Sequence, residues 1–97
     1  MHASVRRYRV RDIDALVGKV EEEFVEQIKE IDGFVGYYVI DGGDGTAASV
    51  TVGDTAQAVA EAVRLTTAWV RENAADLVDG DPDVTAGEVR VSVERDS

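Results

Sequence analysis

The sequence predicts an α+β domain of ferredoxin-like plan, in the order β-α-β-β-α-β, with a four-stranded antiparallel sheet carrying two helices on one face. Three observations support this. Two segments space their apolar residues by threes and fours, as one helix face does. Two short apolar segments flank a turn made of glycine and aspartate. A last segment alternates strictly between valine and polar residues. Ninety-seven residues without a linker or internal repeat make a single domain, residues 1–97.

Residues 5–10 form the first strand, with Tyr8 and Val10 on one face and Val5, Arg7 and Arg9 on the other. Asp12 or Asp14 caps the helix that follows. Its apolar stripe is Ile13, Leu16, Val17, Val20, Phe24, Ile28 and Ile31, and Glu21, Glu22, Glu23, Glu26 and Glu30 take the solvent side. Gly33 ends this segment, because glycine accepts the left-handed backbone after a helix. Residues 34–40 form the second strand. Simple alternation puts Phe34, Gly36, Tyr38 and Ile40 on one face and Val35, Tyr37 and Val39 on the other. The turn 41–45 leads into a return strand over 47–52. Asp54, with Gln57 in capping-box position, starts a second helix reaching about Leu77. Its stripe is Val59, Ala62, Val63, Thr66, Trp69, Val70, Asn73 and Leu77. The run 79–83, with Gly80 and Pro82, breaks that helix, and residues 88–94 form the last strand.

Two helices cover one face of such a sheet. The other face keeps Val35, Tyr37 and Val39, or else Phe34, Tyr38 and Ile40, depending on register. Soluble monomers rarely expose a patch of that kind. Two sheets packed face to face would cover it, which predicts a homodimer of the dimeric α/β-barrel type.

Charge is the strongest compositional signal. Twenty acidic residues stand against ten basic ones, for a net charge of -10. This predicts adaptation to high salt, since the Debye length falls to about 3 Å at molar ionic strength. In dilute buffer the same charge would work against the compact state. Nucleic acid and anionic membranes are not expected partners, because both require a basic face. There is no cysteine and the one histidine is His2, so neither a thiolate site nor a multi-histidine metal site can form within the chain. Asp79, Asp81 and Asp83 resemble the start of a calcium loop, but Val84 and Arg90 stand where its glycine and final glutamate belong. No apolar run approaches the ~20 residues of a membrane span. No leader-like apolar block follows the first arginines, and a cytoplasmic location is the expectation.

The segment Ile31-Asp32-Gly33-Phe34-Val35-Gly36-Tyr37-Tyr38 resembles the stretch after the first helix in antibiotic-biosynthesis-monooxygenase-like domains, and the hairpin through 44–52 is similar to that family's return strand. The resemblance spans residues 5 to 94. It implies a dimeric α/β barrel with a small-molecule cavity between sheet and helices. It also implies one of the family's activities: cofactor-free oxygenation of aromatic polyketides, haem degradation, or none known. The haem-degrading branch uses a helix histidine, and none follows His2, so no cofactor is expected. The oxygenases use Trp, Tyr, Asn and Arg around the substrate. Those residue types occur here as Trp69, Tyr37, Tyr38, Asn73 and Arg9, without position-by-position correspondence.

Trp69 and Asn73, four apart on one helix face, are candidates for a cavity wall and an oxygen-orienting amide; the competing assignment is a core pair. Tyr37 and Tyr38 point to opposite faces, so one of them can enter the cavity. Arg9, with Arg7 and Arg90, is a candidate carboxylate-binding cluster if first and last strands are neighbours. Ion pairing of these arginines with Glu88 and Glu94 is the alternative.

Overall fold

The computed structural model describes residues 1–95. Its elements are β1 His2–Val10, α1 Ile13–Lys19, α2 Val25–Ile28, β2 Phe34–Asp41, β3 Thr46–Gly53, α3 Ala56–Asn73 and β4 Val78–Glu88. A π-helical segment, Val20–Phe24, joins α1 to α2, and a 3-10 turn, Ala75–Leu77, joins α3 to β4. The sheet order is β2-β3-β1-β4 and every pairing is antiparallel, which is the expected ferredoxin-like plan.

The first helical segment shows how pattern becomes packing. Leu16, Val20, Phe24 and Ile28 recur every four residues, and all are buried. A regular helix turns every 3.6 residues, so a strict four-residue stripe would wind away from the sheet. The i→i+5 bonding of Val20–Phe24 widens one turn and returns the stripe to the core. Asp12 caps α1, its carboxylate accepting the Ala15 N–H at 3.0 Å. Gly33 takes φ 85°, as expected where the chain turns into β2.

Four details depart from the sequence expectation. Between Phe34 and Gly36 the pairing of β2 with β3 shifts by one residue. This bulge at Val35 puts Phe34 on the helix side with Tyr37 and Val39, and leaves Tyr38 and Ile40 outside. The cap of α3 is Thr55, whose hydroxyl accepts from the Ala58 N–H at 3.1 Å, not Asp54. The helix itself ends at Asn73, short of Leu77.

The fourth correction is the last strand, which is Val78–Glu88 and not 88–94. The 3-10 turn delivers the chain beside Val10, so pairing starts at Val78 and runs back along β1 to His2 opposite Glu88. The run expected to lie between elements is therefore inside the strand. Arg7 pairs with Asp83 and Arg9 with Asp79, so Gly80, Asp81 and Pro82 loop out of the ladder. A proline is tolerated there because β4 is an edge strand. The Val89 N–H donates to the Met1 carbonyl at 2.9 Å, just before β1 begins. Beyond it the valine alternation of 89–95 pairs with no strand among the described residues.

Two glycines should respond in opposite directions. A Cβ at Gly18, inside α1, would meet nothing within 4 Å. Gly18→Ala should therefore raise unfolding stability by about 0.5–1 kcal/mol in urea titration. A Cβ at buried Gly53 would lie 3.1 Å from Ala58 Cβ and 3.2 Å from Val59 Cγ2, so Gly53→Ala should lower the midpoint.

Candidate functional site

β1 directs Ser4, Arg6, Tyr8 and Val10 toward the helices, and β3 directs Ala47, Ser49 and Thr51 there. Arg6 stands opposite Ser49 across β1 and β3, and Val39 stands opposite Ser49 from the other side. Tyr8 and Tyr37 flank this row. Leu16, Val20 and Phe24 lie above it from the first helical segment, and Thr66, Trp69 and Val70 from α3. The Phe24 ring lies 5.2 Å from Trp69 and 5.7 Å, edge-on, from Tyr37. Arg6, Tyr8, Tyr37 and Ser49, with the side chains above them, surround a partly open cavity of about 30 Å³. That is room for about two water molecules.

A second hollow, a groove of about 470 Å³, adjoins this cavity. Arg6, Val70, Val78, Gly80 and Pro82 line both spaces and so make up the partition between them. Ligand sites typically measure ~300–1,000 Å³, so the groove has the size of a ligand site and the smaller cavity does not.

Arg6 is only 8 % exposed. Its Nη1 donates to Thr67 Oγ1 at 3.0 Å. Ion pairs among the described residues join Arg11 to Asp79, Lys29 to Glu26, Arg64 to Glu61 and Arg90 to Glu88, and none involves Arg6. Burial pulls its guanidinium pKa down, while the phenols of Tyr8 and Tyr37 act in the opposite sense. Burial raises both phenols above their ordinary value, and at Tyr37 the neighbouring Tyr8 adds to the rise. Hydrogen bonding with Ser49 and the Arg6 charge oppose that rise in both. Thr66 is less available, since its hydroxyl donates to the Ala62 carbonyl at 2.7 Å. Among the described residues, the cavity lining contains no Asp, Glu or His. The arrangement can therefore donate hydrogen bonds and stabilise negative charge, but offers no carboxylate or imidazole as a base.

Of the residues singled out from sequence, Trp69 and Tyr37 line the cavity together. Asn73 does not. Its Nδ2 donates to the Trp69 carbonyl at 3.1 Å, and its own carbonyl accepts from Lys19 Nζ at 2.9 Å. It thus fastens the end of α1 to α3. Arg9 lies on the outer sheet face beside a shallow hollow with Arg7, Asp79, Asp81 and Asp83. Arg90 is away from both arginines, 3.7 Å from Glu88. Tyr38 is on the outer face, 59 % exposed. Sequence reasoning missed Arg6, Tyr8 and Ser49 as a group. The signal was present for two of them, because the alternation that puts Tyr8 with Val10 also puts Arg6 on that core-facing side.

No family model and no curated protein matches this sequence. Solved structures do match it. A monooxygenase from the gene ActVA-Orf6 of Streptomyces coelicolor, in complex with nanaomycin D, superposes with a TM-score of 0.77 at 20% identity, over 98% of this chain and 92% of that one. A point mutant of SnoaB of Streptomyces nogalater, a cofactor-independent oxygenase, gives 0.69 at 16% identity over 97% of each chain. A point mutant of MhuD with two manganese protoporphyrin IX bound per active site gives 0.70 at 17% identity, over 98% of this chain and 100% of that one. At these identities the likeness is one of fold: the chain shares the ferredoxin-like α/β architecture of those proteins.

The raised phenols set a pH dependence. A group whose folded pKa exceeds its unfolded value, ~10 for tyrosine, contributes stability that is whole below the unfolded pKa and lost as pH rises through the folded one. Tyr8 and Tyr37 should stay protonated past pH ~10 and ionise together with alkaline unfolding. Phenolate absorbance followed alongside circular dichroism checks this, and ionisation of all three tyrosines before the fold is lost would contradict it.

Proposed function

We propose that this chain acts as a homodimer whose helix-covered cavity takes a small, flat, electron-rich aromatic molecule and oxygenates it without a cofactor. The observation that carries this reading is the convergence of Arg6, Tyr8, Tyr37 and Ser49 on a space walled by Phe24 and Trp69. Flat rings provide stacking surface, and the polar groups beneath them fix orientation. Fold likeness to a monooxygenase and to a cofactor-independent oxygenase supports the choice of chemistry. In such chemistry the ionised substrate itself passes electrons to dioxygen, and the protein excludes water and stabilises the anion.

An aromatic ring needs more than about 30 Å³, so binding requires the partition to yield. Gly80 and Pro82 are the part of it without ladder partners on β1. Outward movement of that bulge would merge cavity and groove.

The dimer is supported by the outer face. Val5, Val35, Tyr38 and Ile40 are 38 %, 52 %, 59 % and 50 % exposed there. A second copy laid sheet to sheet would cover them.

A non-catalytic binding role is the second reading, favoured by the lack of any Asp, Glu or His in the cavity lining. Oxygen uptake with dihydroxynaphthalene separates the two. Uptake matching loss of the naphthalene is expected. Quenching of Trp69 without uptake would leave the binding role, and neither response would end both.

Light scattering tests the dimer. Twice the chain mass is expected at roughly 2 M salt, where charge repulsion is screened, with partial loss in dilute buffer. Ile40→Asp should give a monomer with unchanged helical content. A wild-type monomer in high salt would sink the dimer.

A further inference from the structure

We infer that Arg6 is an anion site, and that the cavity's ligand is an aromatic acid whose negative oxygen docks on its guanidinium where the cavity meets the groove. This rests on the reading that the cavity takes a ligand, and goes beyond it by naming the ligand's charge. Three observations bear on it.

The first is the missing counter-ion. Arg6 is 8 % exposed, and no carboxylate among the described residues pairs with it. Burying an unpaired charge is costly. The chain has 20 acidic residues, yet none of those among the described residues lines the cavity. Among the described residues only Thr67 takes one of the five N–H donors of the guanidinium. A planar fork with spare donors matches a carboxylate or phenolate oxygen.

The second is the company Arg6 keeps. Tyr8 and Tyr37 retain their protons in this setting, so both phenols can donate to the same oxygen. Ser49, directly opposite Arg6 in the sheet, adds a hydroxyl. On the cavity side these donors meet no carboxylate among the described residues, and on the groove side Asp81 is accompanied by Arg6 and Arg71, so the cavity side favours anions over cations.

The third is position. Arg6 belongs to the partition and lines both cavity and groove. A ligand entering from the groove meets the guanidinium before its ring reaches Trp69 and Phe24. Since the lining lacks a base, an already ionised ligand also removes the need for one.

The net charge of -10 repels anions overall. A preference for an anion over its neutral twin must therefore come from a local site. Nitrobenzoate and its uncharged amide, nitrobenzamide, are matched probes. Trp69, the single tryptophan, reports contact quenching from within the cavity. Wild-type protein should bind the acid at least about tenfold more tightly than the amide. Arg6→Met should bring that ratio to about one, with the larger loss falling on the acid. Arg6→Lys should weaken acid binding about threefold or more while keeping part of the preference, because an ammonium lacks the planar fork.

Equal binding of acid and amide by the wild type would overturn the anion site and leave the ligand cavity standing. A preference that survives Arg6→Met would also overturn it. Failure of both probes to quench Trp69 would overturn the ligand cavity, and the anion site with it. Should Arg6→Met not fold, Arg6→Lys decides, and unchanged acid binding by that variant would count against the proposal.

Discussion

The register in which Arg6 faces Ser49 across β1 and β3 governs the helix-covered side of the sheet. β1 is an inner strand, bonded to β3 on one side and β4 on the other. Its phase therefore decides which side chains lie beneath the helices. A slip of one residue would turn Val5, Arg7 and Arg9 inward and expose Arg6, Tyr8 and Val10. Two arginines would then sit where one does. In the observed register one arginine is buried, and its hydrogen bond to Thr67, with the phenols of Tyr8 and Tyr37 nearby, moderates the cost.

That polar row explains why the core is incomplete at its centre. Around it, Phe24, Leu16 and Ile28 are almost wholly buried, at 0 %, 1 % and 1 % exposure. The π segment sets Phe24 against both Trp69 and Tyr37, so the three rings form one wall. A small space remains between this wall and the hydroxyls. π turns of this kind often occur at functional sites. The edge of the space is closed by the bulge in β4, a segment held by fewer ladder bonds than the strand on either side of it.

The two faces of the sheet differ in kind. The inner face is apolar around a buried polar centre. The outer face carries exposed Val5, Tyr38 and Ile40, with Arg7 and Arg9 toward the β4 edge among Asp79, Asp81 and Asp83. The same alternation that assembles the cavity thus assigns the other arginines to a mixed-charge margin. Arg11 extends that margin, its Nε donating to Asp79 Oδ1 at 2.8 Å, and holds the start of β4 to the end of β1.

Much of the fold was legible without coordinates. The four-residue stripe from Leu16 to Ile28 announced a helix on a core, and the glycine turn at 41–45 announced a hairpin. The alternation around Tyr8 and Val10 gave the phase of β1. It also held the position of Arg6, although an arginine between apolar residues is easily taken for a surface group. Other features depended on contacts between distant segments. The Val35 bulge, which sorts Phe34 and Tyr37 onto one face, belongs to the pairing of β2 with β3. The valine alternation at 88–94 is the cleanest strand pattern in the chain, yet the ladder between β1 and β4 stops at His2 opposite Glu88. β4 forms instead over a run containing Gly80 and Pro82, because that run arrives beside Val10. Local periodicity records how each segment would bury its own face, and by itself the sequence determined the α+β plan, the helix stripes and the acidic surface. The strand register, the place of β4 and the meeting of Arg6 with Tyr8, Tyr37 and Ser49 were decided only by tertiary structure, since each depends on which distant backbone supplies the hydrogen-bond partners.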